Sequence, residues 1–366
     1  MRKRSLSVLV FLWLAAGPSA AAVDTPITRS DDAYHFASFE DGQHDASYAE
    51  WWYFNLADPE QDVQFAFAYA VLDPANHSGL GLASVLAMVY TPAGRFQQGA
   101  YLPSDAFSAS DEQADVAIAG GVRGGGRIEV IDDTRYRIVG ALAGEHRVAW
   151  NLIYDRRGEP WFAQDRQNVG SLPWEQMSWL LYMPGASVSG RVIVDGRTYL
   201  VRGVRGYHDH NWGEWIPTLV AWNWAQYFEP GLHVAMGDFR SAPVGAVGVD
   251  FQGRRTVFEK AQYQLLHTAW QYDPPNRQWF PTTSWLLAQN ETAALLVRLE
   301  TLGTLEVVPP LDIPLLPEPL VYEQTARIGG ALWERDPRGG WRLLTSFDGG
   351  GFKEYTSVTF APHAPR

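Results

Sequence analysis

The sequence predicts an all-β protein made of two consecutive β domains. Apolar residues recur with a period of two in many short segments, turn-forming residues separate these segments, and no segment shows long helical periodicity. The composition agrees with this fold class, because 16 Trp, 16 Tyr and 17 Phe accompany 34 Gly and 23 Pro in a chain of 366 residues. At 46% hydrophobic and 19% charged, the chain can bury sizeable cores.

The charge and the lack of cysteine exclude several classes of function. With 29 basic and 41 acidic residues the formal net charge is −12, which argues against a nucleic-acid partner. Without cysteine the chain has no disulfide, no cysteine nucleophile and no thiolate metal site. Chemistry must therefore come from histidines, carboxylates and aromatic side chains.

The first 22 residues have the pattern of a secretory signal peptide. Met1–Arg4 is basic, Leu6–Ala16 is an apolar run too short to span a bilayer, and Ala20–Ala22 supplies the small residues of a cleavage site. Removing these residues takes away three basic side chains and changes the net charge from −12 to −15. We therefore expect an exported protein, periplasmic or secreted, with no stable membrane insertion after cleavage.

Strands are predicted past residue 45, where short apolar segments alternate with turn signals. In the clearest one, Val63, Phe65, Phe67, Tyr69 and Val71 share one face. Further strands are predicted before the middle of the chain at Leu82–Tyr90, Arg95–Tyr101, Arg127–Ile131, Tyr136–Leu142, Arg147–Tyr154, Ser187–Val194 and Tyr199–Val204. Later strands are predicted at Leu219–Phe228, Leu232–Arg240, Ala246–Phe251, Thr256–Leu266, Ser284–Ala288, Ala294–Leu299, Tyr322–Trp333 and Trp341–Phe347. Asp195-Gly196 is the strongest hairpin signal.

This many strands in meander order exceeds one eight-stranded barrel, so the chain is predicted to form two barrels or sandwiches. We place the first domain at residues 23–213 and the second at 214–366, with the joint near residues 213–218. The proline-rich segment 309–319 cannot donate to a sheet, and we expect it to pack as an ordered loop across a barrel mouth.

The densest group of polar and aromatic residues is Gly206–Gly213. On an extended backbone His208, His210 and Trp212 share one face, and Tyr207, Asp209 and Asn211 share the other. Either face could line a cavity. Two alternatives stay open: His208 and His210 could bind a metal with His233 or Asp238 as third ligand, or the group could be structural, holding a sharp domain joint.

A second group, Glu50–Asn55, contains four consecutive aromatic residues after a glutamate. Large rings on both faces of a strand indicate that both faces are covered, so at least two of these rings should be core residues. Trp174, Trp179, Trp222 and Trp224 add aromatics near the middle of the sequence. Together these residues predict an apolar, ring-lined pocket in or between the domains.

These two groups resemble the signatures of a known family. Glu50-Trp51-Trp52-Tyr53 and Asp209-His210-x-Trp212-Gly213 are similar to the motifs of the carotenoid 1,2-hydratases, also called hydroxyneurosporene synthases. Relatives of that family include fungal kievitone-type hydratases and lipocalin-like Diels–Alderases. The resemblance implies two lipocalin-like β domains, a ligand pocket and no cofactor. It also implies catalytic roles for His210 and Trp212, with Asp238 as the counterpart of a third catalytic residue.

Acid-catalysed chemistry on an apolar molecule fits these residues. Asp238, on an otherwise apolar strand, could be held protonated and donate a proton to an alkene carbon, with Glu50 as a second candidate acid. Trp212 could face the resulting cation. His210, oriented by Asp209, could take a proton from the attacking water.

The predicted function is therefore a cofactor-independent hydratase, dehydratase, isomerase or cyclase acting on a hydrophobic, isoprenoid or polyene-like molecule. We expect Tyr207, Trp52, Trp222 and Trp224 to bind this substrate beside Trp212, and we expect no catalytic metal. The alternative is a secreted, non-catalytic carrier of an apolar ligand. The two functions differ in one feature, since only the enzyme needs Asp238 and His210 to point into the same cavity.

Export predicts a specific mature N-terminus. We expect cleavage after Ala22 or within a few residues of it, because the small residues follow the apolar run directly. N-terminal sequencing of the protein released by cells tests this. Met1 retained on protein that only detergent extracts would contradict it.

Overall fold

The computed structural model of this chain describes residues 26–215, 220–307 and 320–357. Strand makes up 70% and helix 5% of the structure, which confirms the predicted all-β class. The strands form two curled antiparallel sheets, one a nearly closed barrel and the other a half-barrel, consistent with lipocalin-like domains. No helix in the described ranges is both long and apolar enough to cross a membrane.

The first sheet has twelve strands and forms the nearly closed barrel. Its strands are β1 (Tyr48–Asp58), β2 (Val63–Leu72), β3 (Leu82–Thr91), β4 (Gly94–Pro103), β5 (Phe107–Ala109), β6 (Val116–Gly121), β7 (Gly124–Asp132), β8 (Arg135–Ala143), β9 (Arg147–Arg156), β10 (Trp161–Asn168), β11 (Gln176–Val194) and β12 (Arg197–Glu214). The order is β4-β3-β2-β1-β12-β11-β9-β8-β7-β6-β5, with β10 added to β11. β12 therefore lies between β1 and β11, in the middle of the sheet.

The second sheet has nine strands and forms the half-barrel. Its strands are β13 (Trp222–Glu229), β14 (Leu232–Phe239), β15 (Gly245–Phe251), β16 (Arg254–Glu259), β17 (Tyr263–Asp273), β18 (Gln278–Gln289), β19 (Ala293–Val307), β20 (Leu320–Arg335) and β21 (Trp341–Ser357). Their order is β16-β15-β14-β13-β21-β20-β19-β18-β17, so the first and last strands of this sheet, β13 and β21, are neighbours.

The period-two pattern of β2 separates two packing surfaces. Phe65, Phe67 and Tyr69 are completely buried inside the barrel. On the opposite face Ala66 packs in a second cluster that contains residues of both sheets. Small side chains on that face let the half-barrel approach closely, so the alternation of large and small residues positions one sheet on the other.

β1 and β12 are covered on both faces. Trp52 and Phe54 point into the barrel core, whereas Trp51 and Tyr53 belong to the cluster shared with the second sheet. The two strands pair in antiparallel register, with Trp52 opposite His210 and Tyr53 opposite Asp209. The predicted division of the aromatic run between core and partner surface is thus what the structure shows.

The strand predictions differ from the structure in several places. Thr256–Leu266 is not one strand, because Glu259 and Gln262 exchange capping bonds and make Lys260–Gln262 a turn of 3-10 helix. β5, β6 and β10 were not predicted, although Val116 and Ile118 of β6 are buried at alternate positions. The hairpin at Asp195-Gly196 is confirmed, because both residues have positive φ (48° and 85°) between β11 and β12.

Three predictions fall wholly or partly outside the described residues. The signal peptide lies in residues 1–25, the proline-rich segment in residues 308–319, and most of the predicted joint in residues 216–219. The first sheet ends at Glu214 and the second begins at Trp222. The exact domain boundaries stay a prediction.

A glycine in β8 makes room for a core tryptophan. Gly140 lies opposite Trp150, and a Cβ on it would come within 2.1 Å of the Trp150 ring. We expect Gly140→Ala to lower the free energy of unfolding by about 1–3 kcal/mol through overpacking. Gly329→Ala is the matched control, because a Cβ there meets its nearest atom at 3.4 Å. Equal stability of both variants in denaturant titrations would contradict the prediction.

Candidate active site

A cavity of about 530 Å³, part of it open to solvent, lies between the two sheets. Its walls are mainly aromatic and come from both sheets: Trp51, Tyr53, Trp179, Trp215, Trp222, Trp224 and Phe239. The ring-lined pocket expected from the sequence is therefore present, and it lies between the sheets.

Three carboxyl groups reach this cavity from different strands. Asp209 lies on β12, Asp238 on β14 and Glu354 on β21. Two amides, Asn211 and Asn223, also line it. A mostly apolar cavity with a few convergent polar groups is typical of a binding or catalytic site.

Asp209 is the carboxyl group most suited to hold a proton in this cavity. Burial raises its pKa to about 7, even though Trp179, Tyr207 and His208 act in the opposite direction. The indole N–H of Trp179 and the hydroxyl of Tyr207 each donate to Oδ2 at 2.8 Å. Oδ1 has only the distant amide of Asn211 at 3.4 Å. A proton on Asp209 would therefore lie on Oδ1.

Asp238 differs from the sequence expectation. Its Oδ1 forms an ion pair with Lys260 and accepts a hydrogen bond from Tyr263 at 2.9 Å, and Asn223 donates to Oδ2 at 3.3 Å. The apolar surroundings expected to keep Asp238 protonated are absent, because Lys260 approaches from the turn that interrupts the predicted strand. We therefore do not assign the acid to Asp238.

Two glutamates pair on the side of the second sheet, and one of them, Glu354, lines the cavity. Glu323 on β20 lies directly opposite Glu354 on β21. Burial raises the pKa of both, and the neighbouring Glu354 raises that of Glu323 further. Tyr53 donates to Glu323 at 2.7 Å and Trp222 donates to Glu354 at 2.8 Å. Sequence reasoning missed this pair, although a glutamate on an inward-facing position of each apolar strand was a usable signal.

His210 lies on the other face of β12, inside the barrel. Its two ring nitrogens face carboxylates, with Nε2 2.8 Å from Glu50 Oε1 and Nδ1 3.2 Å from Asp32 Oδ1. His208 Nε2 is 2.9 Å from Asp32 Oδ2. Asp32, Glu50, His208 and His210 are all completely buried. We call these four residues the barrel network.

Mutual pairing keeps charges in the barrel network. Burial acts to raise the pKa of Asp32, but His208 and His210 outweigh it and the pKa is lowered. Burial also acts to raise the pKa of Glu50, but hydrogen bonds from His210 and His35 outweigh it, and the pKa is lowered. For His210 burial lowers the pKa, and the two carboxylates raise it above its ordinary value. This is a buried ion-pair network.

The predicted site residues thus fall into two places. Asp209, Asp238, Trp222 and Trp224 line the cavity, and Tyr207 contacts it through Asp209. His210, Glu50, Trp52 and Trp212 belong to the barrel interior. Side chains alternate along β12, so the expectation that Asp238 and His210 share one cavity is wrong.

The two tryptophans expected to bind substrate, Trp212 and Trp52, stack on histidines inside the barrel. The Trp212 ring stacks on His35 with centroids 3.9 Å apart, and the Trp52 ring stacks on His210 at 4.4 Å. Trp212 therefore does not face the cavity as a cation-binding ring. Both rings instead cover the imidazoles of the buried ion pairs.

The described ranges contain two groups of three side chains with the spacing of metal ligands. These are His35, Glu50 and His210, and Asp41, His44 and Glu214. The metal site weighed from the sequence, with His233 or Asp238 completing His208 and His210, is neither of them. His233 packs against Phe228, and Asp238 lines the cavity between the sheets, whereas His208 and His210 lie inside the barrel.

Solved structures with the same fold exist, although no family profile and no curated protein matches the sequence. An AttH protein of Nitrosomonas europaea has a TM-score of 0.64 at 15% identity and covers 94% of this chain and 99% of its own. Kievitone hydratase of Nectria haematococca has a TM-score of 0.59 at 13% identity, and the match covers 90% of this chain and 96% of its own. CghA in complex with Sch210972 has a TM-score of 0.60 at 13% identity, and the match covers 86% of this chain and 89% of its own. The resemblance to the two-domain hydratases is confirmed for the fold.

The barrel network should control stability and its pH dependence. We expect Asp32→Asn to lower the free energy of unfolding by about 3–5 kcal/mol, because it leaves buried imidazoles without their charge partner. Because the pKa of Asp32 is lowered, its ionised form stabilises the fold at pH values above its ordinary pKa of 3.8, and this stability is lost as the pH falls through the lowered pKa. Because the pKa of His210 is raised, its protonated form stabilises the fold at pH values below its ordinary pKa of 6.5, and this stability is lost as the pH rises through the raised pKa. The stability lost in Asp32→Asn should therefore be largest between pH 3.8 and 6.5.

Urea titrations across this pH range measure the deficit. Asp348→Asn is the control, because it breaks an exposed ion pair with Arg327 and should cost less than about 1 kcal/mol. A small deficit for Asp32→Asn that does not vary with pH would show that the network is not charged.

Proposed function

We propose that this chain is a cofactor-independent hydratase, dehydratase, isomerase or cyclase that protonates an alkene in the cavity between its sheets. One observation carries the proposal: a buried carboxyl group, Asp209, with a pKa of about 7 in a cavity with aromatic walls. At neutral pH a large fraction of Asp209 is protonated, and a general acid works best when its pKa lies near the working pH.

The first step transfers a proton from Asp209 to an alkene carbon. The carbon–carbon π bond supplies the electron pair, and its other carbon becomes cationic. Trp179 and Tyr207 already donate to Oδ2, so they stabilise the carboxylate that forms. The ring faces around the cavity favour the cation, an interaction worth about 2 kcal/mol or more when desolvated.

The fate of the cation decides the product. If water attacks, its proton passes to a carboxylate, and Asp238 is the candidate because its ion pair with Lys260 holds it on the cavity wall. Loss of a neighbouring proton gives an isomer, and attack by a second alkene gives a ring. The reverse of hydration dehydrates a tertiary alcohol.

The shared fold supports this reaction class. Kievitone hydratase is a hydratase by name and has the same fold over 90% of this chain. The aromatic walls of the cavity favour an apolar substrate, such as an isoprenoid or polyene-like molecule. We also propose, from residues 1–22, that the protein acts in the periplasm or outside the cell.

The alternative function is a non-catalytic carrier of an apolar ligand. One observation favours it: the histidine expected as base lies in the barrel and not in the cavity. A carrier needs the aromatic walls but has no use for a protonated Asp209. The two functions are therefore separated by a variant that removes the proton and keeps the cavity shape.

Asp209→Asn is that variant. With farnesol as probe and gas chromatography–mass spectrometry for hydrated, isomerised or cyclised products, we expect wild-type turnover and none in Asp209→Asn. Affinity, measured by tryptophan fluorescence, should stay within about tenfold, because only the transition state needs the proton. In the wild type, turnover should fall about tenfold per pH unit above 7, as Asp209 loses its proton.

Two further variants compare a ring of the cavity wall with a ring outside the cavity. Trp222→Leu should weaken binding and turnover together, because it removes a cavity ring and the donor to Glu354. Trp341→Leu removes a ring that is 39% exposed and lies away from the cavity, and it should change neither. Normal turnover by Asp209→Asn would assign the acid to Glu354. Saturable binding without product at any pH would identify a carrier.

A further inference from the structure

A group of polar side chains lies at the end of β12, outside the cavity. One ring nitrogen of His44 and one carboxylate oxygen each of Asp41 and Glu214 are all within 4.8 Å of one another. Asp41 and His44 come from the loop before β1, whereas Glu214 is the last residue of β12. Residues far apart in sequence therefore converge on one point at the surface.

The loop that carries Asp41 and His44 is held in one conformation. Oδ1 of Asp45 accepts hydrogen bonds from the amides of Asp41 at 2.8 Å and Gly42 at 3.0 Å. Oδ1 of Asp41 accepts from the amides of Gln43 and His44. Gly42 has a φ of 72°, which a residue with a Cβ rarely adopts. The side chains are thus presented from a fixed backbone.

The His44 ring is also fixed. It stacks on Trp174 with centroids 4.5 Å apart and an interplanar angle of 17°, and its Nδ1 lies 2.8 Å from Asp41 Oδ2. The imidazole of His44 is thus held in one orientation beside the carboxylate of Asp41.

The buried side chain of Glu214 provides independent evidence for a bound cation. It is only 6% exposed, and among the residues that the structure describes its buried Oε1 has no hydrogen-bond partner. Asp45 is 2% exposed and adds another buried carboxylate beside it, with His77 3.4 Å from its Oδ2. An unpartnered buried carboxylate oxygen is costly, and a bound cation would satisfy it.

We propose that Asp41, His44 and Glu214 bind a divalent ion of the Zn²⁺ class. One imidazole with two carboxylates is a donor set that suits Zn²⁺, whereas Ca²⁺ and Mg²⁺ prefer oxygen ligands alone. The exposed side chain of Asp41 leaves an entry path from solvent.

The ion would link the loop before β1 to the end of β12. Trp215 follows Glu214 directly, donates its amide to Ser47 at 3.2 Å and lines the cavity. The site would therefore fix one rim of the cavity without contacting the reacting molecule. The proposed ion site does not depend on whether the cavity is catalytic or only binds a ligand.

The other group of potential ligands lacks the decisive feature. In the group of His35, Glu50 and His210, the carboxylate already has donors on both oxygens, from Tyr48 at 2.5 Å, the amide of His35 and the ring of His210. Its charge is satisfied within the protein, so a metal would have to displace existing bonds.

Calorimetric titration with Zn²⁺ tests the site. The full chain, prepared without a histidine tag and dialysed against chelator, should bind one Zn²⁺ per chain and melt at a higher temperature with Zn²⁺. Glu214→Gln and His44→Gln should each weaken binding by roughly tenfold or more. Circular dichroism in chelator checks that both variants fold, and Asp41→Asn replaces either one that does not.

Two controls make the result specific. His146→Gln removes a histidine whose Nδ1 is likewise 2.8 Å from an aspartate oxygen, on Asp195, but which belongs to neither group of three. It should bind Zn²⁺ as the wild type does. His35→Gln reports on the group inside the barrel. The proposal is overturned if the wild type does not bind Zn²⁺, if Glu214→Gln binds it unchanged, or if only His35→Gln loses it.

Discussion

The second half of β12, residues 206–214, is buried on both faces between β1 and β11, and this constraint organises the rest of the molecule. A buried strand normally carries apolar residues, because every polar side chain on it needs a partner within the protein. From Tyr207 to Asn211 this strand carries four polar groups in succession after the tyrosine. Alternation sends His208 and His210 to the barrel and Asp209 and Asn211 to the second sheet. Each face must therefore be satisfied separately.

The two faces solve this problem in opposite ways. In the barrel the imidazoles of His208 and His210 lie against the carboxylates of Asp32 and Glu50, and mutual pairing keeps those carboxylates ionised despite burial. In the cavity Asp209 has neutral donors and no cation in contact, so burial favours its protonated form. One strand thus separates two carboxyl groups with lowered pKa values, Asp32 and Glu50, from one with a raised pKa, Asp209. A pair of environments that pushes pKa values apart is typical of sites that use acids near neutral pH.

Much of this could be predicted from the sequence, but not where the chemistry lies. The period-two pattern predicted most of the strands and the two faces of Tyr207–Trp212 correctly, because alternation is a local property. Which face meets a cavity depends on residues distant in sequence. Glu323 reaches Tyr53 from the second sheet, and Lys260 reaches Asp238 from a turn that a capping interaction creates. Asp32, which pairs with both histidines, ends a single 3-10 turn, Arg29–Asp32, that is too short to show a periodicity.

The same geometry explains why the two sequence motifs indicate a fold better than a substrate. Glu50 and His210, one from each motif, bond to each other across the pairing of β1 with β12, so they stabilise the barrel. The cavity walls opposite them come from β13, β14 and β21, which lie outside both motifs. Residues on those strands can change without disturbing the barrel network. Chains that share the motifs can therefore keep one scaffold, including Trp51, Tyr53 and Asp209 on the first sheet, while the wall from the second sheet varies, as fold and function separate elsewhere.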